Sequence, residues 1–354
     1  MSDAIDFRSD FVARPTEEMI EAMVNASKLP SGFGLRENQI VSELEFLAAK
    51  MVGKEDSLFV PTCMMANQIA IALRCVAGDR FITEKSAHVI TSEMDAAHML
   101  TGAVAVEVSA VNGSLELDAV DENCASLSKI EKKPKLIVIE NSHVRSGGRV
   151  VSLEHMESLF ELSQKYDVSI HLDGARVFNA ADAIGCTVSE IASFSDTVAF
   201  NLNKGLGAPL GAILAGPRPL IERAVEVRQL LGGGWRPAGI PAAAGIIALK
   251  TMTERLAVDR QHAKKLAMGI SRIDGIEVSV KNTETNIVLS RPLKITPSDL
   301  VDRLSKRGVL VLAMDQQVRW VTHYEITESA ISHGKCSESF SKKWSQETDA
   351  LSTQ

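Results

Sequence analysis

Three short segments carry residue types that can do chemistry together. Glu140-Asn141-Ser142-His143 follows the apolar run Leu136–Ile139. His171-Leu172-Asp173-Gly174-Ala175-Arg176 closes the run Val168–Leu172. Asn203-Lys204-Gly205-Leu206-Gly207-Ala208-Pro209 follows Thr197–Phe200. Each segment sits where a β-rich run ends. In an open parallel sheet, residues just past the carboxyl ends of the strands converge on one crevice. An acid, a lysine, an arginine and a histidine are therefore expected in one place.

That set suits pyridoxal phosphate. A carboxylate beside the pyridine nitrogen keeps it protonated, which lets the ring accept an electron pair; Asp173 fills this role. A lysine forms the resting Schiff base; Lys204 fills that one. Glycines around the lysine let the backbone pass close to the ring, and forked guanidinium groups hold phosphate or carboxylate. Taken singly, the same residues have ordinary readings. An aspartate after a strand is as often a helix cap or turn residue. A lysine in a Gly-rich loop is usually solvated, and His88 or His98 on a helical stretch reads equally as a surface or core residue. The order strand, Asp, strand, Lys favours the chemical reading.

The elements that must position these groups alternate through the first two-thirds of the chain. Strands are expected at Ser57–Val60, Arg80–Thr83, Ala103–Val108, Lys135–Glu140, Val168–Leu172, Thr197–Phe200 and Ala212–Ala215. Their apolar character is nearly continuous, as in strands buried on both faces. Leu153, Met156, Leu159 and Phe160 share one helical face behind a Ser152 N-cap. The pattern predicts an α/β fold with a mainly parallel, seven-stranded sheet covered by helices. After Gly232–Gly234 the character changes. Pro241–Leu266 reads as a long helix broken near Val258. Strand-like runs follow at Ile276–Val280, Asn286–Ser290, Val309–Leu312 and Val318–Thr322. Thr296-Pro297-Ser298-Asp299 reads as a helix start and Gly308 as its stop. The tail beyond Gly334 reads as a surface helix with a frayed end. The division expected is a large domain over 1–250, with the N-terminal segment 1–25, and a smaller α+β domain over 251–354.

Bulk properties narrow the partners. The 354 residues carry a net charge of −7, which argues against a general nucleic-acid surface. No apolar run approaches the ~20 residues that span a bilayer. The five cysteines, Cys63, Cys75, Cys124, Cys186 and Cys336, have no zinc-ligand spacing, and no metal site is expected. With no secretory leader visible, they point to a reducing, cytoplasmic location.

The chain resembles the threonine aldolases, within the pyridoxal-phosphate proteins of the aspartate-aminotransferase fold (fold type I). The resemblance runs from Asp6-Phe7-Arg8-Ser9-Asp10 past Arg319-Trp320-Val321-Thr322-His323. It is carried by the Asp173 and Lys204 segments, by Gly232-Gly233-Gly234-Trp235-Arg236, and by Phe59-Val60-Pro61 with Met65-Ala66-Asn67-Gln68. It implies that Lys204 holds the cofactor, that Asp173 pairs with the ring nitrogen and that His88 stacks on the ring. Ser9, Arg176 and Arg319 would hold the substrate carboxylate, with Arg176 also near the cofactor. Arg236 would reach phosphate from a neighbouring subunit, and His143 would sit near the substrate's β-hydroxyl. A homodimer or homotetramer with shared sites is implied.

Three departures bear on the substrate. Thr62-Cys63-Met64 replaces the family's Ser-Gly-Thr phosphate turn, though helix-start N–H groups can still hold the anion. Leu35-Arg36-Glu37-Asn38 replaces Tyr-Gly-Glu-Asp. Gln229 replaces a basic residue shortly before the three glycines. Arg36 and Arg145 are thus candidate substrate cations, which would favour an acidic or polar side chain over that of threonine. The expected reaction is cleavage of the Cα–Cβ bond of a β-hydroxy-α-amino acid, with His88 or His143 as base. Other pyridoxal-phosphate chemistry (β-elimination, racemisation, decarboxylation or transfer of the glycine unit) and a non-catalytic relative are the alternatives.

Overall fold

The computed structural model describes residues 4–129 and 133–332. Cys336 and the tail beyond Gly334 lie outside the described residues. The chain divides into two compact units, a large one built from 14–146 and 150–253 and a small one built from 4–13, 147–149 and 254–332.

The large unit holds a seven-stranded sheet. Its strands are β1 (Asp56–Val60), β2 (Arg80–Glu84), β3 (Val104–Val108), β4 (Leu136–Glu140), β5 (Ser169–Asp173), β6 (Thr197–Asn201) and β7 (Ala212–Gly216), in the spatial order 1-7-6-5-4-2-3. Strands β6, β5, β4, β2 and β3 run parallel, and β7 is antiparallel to both its neighbours. All seven expected strands form, with no end displaced by more than one residue. The continuous apolar runs have the expected cause: Leu136–Glu140, Thr197–Asn201 and Ala212–Gly216 are buried along their whole length. Helix Cys63–Ala72 packs its Ala66, Ile69 and Ala70 against Leu58, Ala199 and Leu214 of the sheet. Ser152 caps helix Leu153–Tyr166 as expected, its side chain accepting from the His155 N–H.

The small unit carries a four-stranded antiparallel sheet in the order Ile276–Val278, Ile287–Pro292, Gln317–Val321, Leu312–Met314. Phe7, Leu266, Ile270, Val288, Leu300 and Trp320 form its core. Thr296 and Asp299 make a reciprocal capping box on helix Pro297–Ser305. Three expectations change here. Strand Ile5–Asp6 pairs in parallel with Val309–Leu310, so residues 4–13 belong to the small unit rather than the large one. Backbone pairing that skips most of the chain leaves no periodic signal. The long helix breaks at Thr253–Arg255, ahead of Val258: a wider turn over Ala248–Met252 separates Gly239–Ile247 from Leu256–Ile270. The expected run Val309–Leu312 is split into Val309–Leu310 and Leu312–Met314. No helix among the described residues is long and apolar enough to cross a membrane.

Candidate active site

Asp173 is the last residue of β5 and is buried. Its two oxygens are held separately. Oδ2 accepts from Asn67 Nδ2 at 2.8 Å, and Oδ1 accepts from the Ala175 N–H at 3.2 Å. The chain then turns on Gly174, whose N–H donates to the Ala199 carbonyl at 2.8 Å. A Cβ there would lie 2.8 Å from that same oxygen, so the tight exit from β5 admits no side chain.

Asn67 stands in the second turn of helix Cys63–Ala72 and joins several of these groups. Its Nδ2 also donates to Glu93 Oε1 at 2.9 Å, and its Oδ1 lies 3.0 Å from His171 Nε2. The other ring nitrogen of His171 meets Thr197 Oγ1 at 2.8 Å. Burial drives the pKa of His171 down to about 4, so the ring is neutral and serves as a fixed hydrogen-bonding wedge. Glu93 also accepts from Gln68 Nε2 at 2.6 Å and contacts His88 Nδ1 at 2.9 Å. Burial disfavours charge on His88, but the bond to Glu93 and the field of Asp173 outweigh it and hold its pKa above the ordinary imidazole value. Oxygens of Glu93 and Asp173 and a nitrogen of His88 all lie within 4.8 Å of one another, close enough to grip a metal ion. The Asn67 amide, donating to both carboxylates, supplies there the positive edge that a cation would.

Lys204 follows β6 in a turn closed by the Gly207 N–H on the Lys204 carbonyl at 2.9 Å. It is half-buried. The Cys63 thiol lies in the combined electrostatic field of Asp173, Lys204, Glu93 and Glu140. Burial raises the thiol well above its ordinary range and keeps it neutral. Thr62 caps the helix that Cys63 begins, its Oγ1 accepting from the Met65 N–H at 3.1 Å. The N–H groups of Cys63 and Met64 have no carbonyl to meet within the helix, and the helix start favours an anion. Arg176 is buried at the start of helix Val177–Ile184.

His143 is tied into the large unit. The Ser146 N–H donates to its Nδ1 at 3.3 Å, and Ser146 Oγ lies 2.8 Å from the same atom. Its Nε2 is 3.2 Å from Glu84 and 3.9 Å from Glu140. Arg145 is half-buried two residues on. In the small unit, Arg319 Nη2 donates to the Arg8 carbonyl at 3.1 Å, next to buried Ser9, whose Oγ donates to Asp10 at 3.3 Å.

Arg36 is engaged by carboxylates of the large unit. Its guanidinium donates to Glu45 Oε2 from Nε and Nη2, to both oxygens of Asp56, and to the Ser57 carbonyl, all at 2.9 to 3.1 Å. The charge is matched within the large unit, where Arg36 ties Glu45 to the start of β1. The local replacement of glycine by arginine gave no hint of the carboxylates nine and twenty residues on. Arg36 shares a small cavity with Arg228, Trp235 and Arg236. Arg236 itself is exposed, its guanidinium 5.7 Å from the Phe33 ring centroid.

A sheet in the order 1-7-6-5-4-2-3, with an aspartate ending β5 and a lysine beyond β6, defines a pyridoxal-phosphate enzyme of fold type I. The chain belongs to the beta-eliminating lyase family, whose model matches residues 6–291. It is 35% identical to the low-specificity L-threonine aldolase 1 of Arabidopsis thaliana over 336 residues, 93% of each chain. It is 34% identical to the low specificity L-threonine aldolase of Escherichia coli (strain K12), over 92% of this chain and 96% of that one. The solved threonine aldolase of Leishmania major superposes with a TM-score of 0.80 at 17% identity, covering 93% of this chain and 97% of the other, a likeness of fold. The residues present fit the cofactor: a buried carboxylate with lone pairs to spare, a nearby lysine and a helix start suited to phosphate.

Proposed function

We propose that this protein is a pyridoxal-phosphate lyase that cleaves the Cα–Cβ bond of a β-hydroxy-α-amino acid, giving glycine and an aldehyde. The observation that carries the reading is the buried Asp173 carboxylate, oriented by Asn67 and Ala175, with His88 within 4.8 Å of it and in the electrostatic field of Lys204. When bound, the cofactor supplies an electron sink for the pair released as a bond to Cα breaks.

The rest falls to the chain. Lys204 carries the cofactor, and Asp173 holds the proton on its ring nitrogen. The N–H groups of Cys63 and Met64, with the Thr62 hydroxyl, hold the phosphate, joined by Arg236 of a neighbouring subunit. Ser9, Arg176 and Arg319 hold the substrate carboxylate, as the family resemblance implies. Glu93 occupies Nδ1 of His88, so Nε2 is the ring nitrogen available to take the β-hydroxyl proton, directly or through water. Loss of that proton frees the side chain as an aldehyde, and reprotonation at Cα leaves glycine. Arg145 is a candidate for selecting an anionic substrate side chain. The free thiols of Cys63, Cys75, Cys124 and Cys186 suit a reducing cytoplasm, and the shared-site role of Arg236 requires a homodimer or homotetramer.

An amino-acid panel assayed together for aldehyde, glycine and ammonia tests the reading. Aldehyde and glycine in equal amounts are expected. Ammonia with a keto acid would assign β-elimination instead.

A further inference from the structure

His143 is only 1% exposed. The Ser146 backbone N–H can only donate, so Nδ1 must accept. The ring proton then sits on Nε2, between Glu84 at 3.2 Å and Glu140 at 3.9 Å, aligned with neither. On another side the hairpin turn at Gly113 packs so closely that a Cβ there would lie 2.3 Å from His143 Cβ.

The two carboxylates flanking this proton have a further task in common. Glu84 accepts from the Ser86 N–H at 2.7 Å and from the Ser86 hydroxyl at 2.8 Å. Glu140 accepts from the His88 N–H at 2.9 Å and, with its other oxygen, from the Val144 N–H at 2.8 Å. Together they grip both ends of Ser86-Ala87-His88. Both are buried, and two neighbouring carboxylates repel unless a donor stands between them.

We propose that Glu84, His143 and Glu140 form a buried clamp that positions His88, with His143 bridging the carboxylates rather than taking the substrate's proton. This rests on the aldolase reading above. Glu84 and His143 are positioning residues, acting through the backbone of the segment that carries His88.

The test uses the cofactor-loaded full chain and the β-hydroxy amino acid that the product panel selects. In Glu84→Gln and His143→Gln, kcat should fall on the order of ten- to a hundred-fold, as misplacement of a reacting group does, with KM little changed. The absorbance and circular-dichroism bands of the cofactor should shift as His88 moves. The acid limb of kcat/KM should persist in both, because it belongs to His88. Loss of that limb in His143→Gln, or unchanged kcat and cofactor bands in Glu84→Gln, overturns the proposal. If Glu84→Gln does not fold, spectra of imidazole-15N-labelled wild type decide. A neutral His143 protonated on Nε2 supports the clamp, and one protonated on Nδ1 overturns it. Wild-type protein that yields no aldehyde and glycine would sink the aldolase reading, while the 15N measurement would still report on the clamp.

Discussion

Asn67 donates from Nδ2 to the Asp173 carboxylate at 2.8 Å, tying the helix after β1 to the carboxyl end of β5. The same nitrogen reaches Glu93 at 2.9 Å. Two buried carboxylates are thus held by one amide, and His88 leans on the second of them.

Asn67→Ala should therefore weaken both stability and cofactor binding. It strips the buried Asp173 Oδ2 of its Asn67 donor, a loss of about 1–3 kcal/mol. Denaturant unfolding of the cofactor-free protein and cofactor titration read the two effects. Wild-type values in both would show that the amide is dispensable.

Asp173→Asn keeps a hydrogen-bonding group at the ring nitrogen but cannot hold its proton there. Cofactor binding should survive while turnover drops by a barrier increase of about 3 kcal/mol, the scale of one lost electrostatic stabiliser. Near-normal kcat would assign the carboxylate a structural role, through Asn67 and Ala175.

The pH profile follows from the pair His88 and Glu93. Burial opposes charge on His88, but Glu93 and Asp173 prevail and its pKa is raised. A base works only when deprotonated. The acid limb of kcat/KM should therefore lie above the ordinary imidazole range, near 6.5, with activity lost as pH falls through it. Glu93→Gln removes the stabilising charge and should move the limb to lower pH. An unmoved limb would assign the titration to another group.

Arg36→Ala should act on the fold. Glu45, of which 2% of the side chain is exposed, would lose its cation, and stripping one partner from a buried pair costs about 3 kcal/mol or more. The 30% exposure of Arg36 itself puts the expectation at the low end. Stability should fall while the folded enzyme keeps its preference among substrates. A changed preference at unchanged stability would assign Arg36 to the substrate.

Much of this was legible in the sequence because its signals are local. Runs such as Leu136–Glu140 announce strands buried on both faces, and Asp173 and Lys204 stand directly beyond two such runs. The capping box at Thr296 and Asp299 is a four-residue pattern. What was not legible depends on residues far apart in the chain. Glu93 gave no signal, since its partners Asn67 and Gln68 are some 25 residues away. Glu84 meets His143 across two strands, and Arg36 finds Asp56 only once β1 forms. The pairing of Ile5–Asp6 with Val309–Leu310 spans nearly the whole chain and placed residues 4–13 in the other unit.

The central claim is that Lys204 carries the cofactor. Loading the protein with pyridoxal phosphate, reducing with borohydride and mapping the labelled peptide measures this directly. The label is expected on Lys204 in the segment Asn203-Lys204-Gly205, with Lys204→Ala protein unlabelled and inactive. A label on another lysine, or none in a protein that still turns over substrate, would contradict the account.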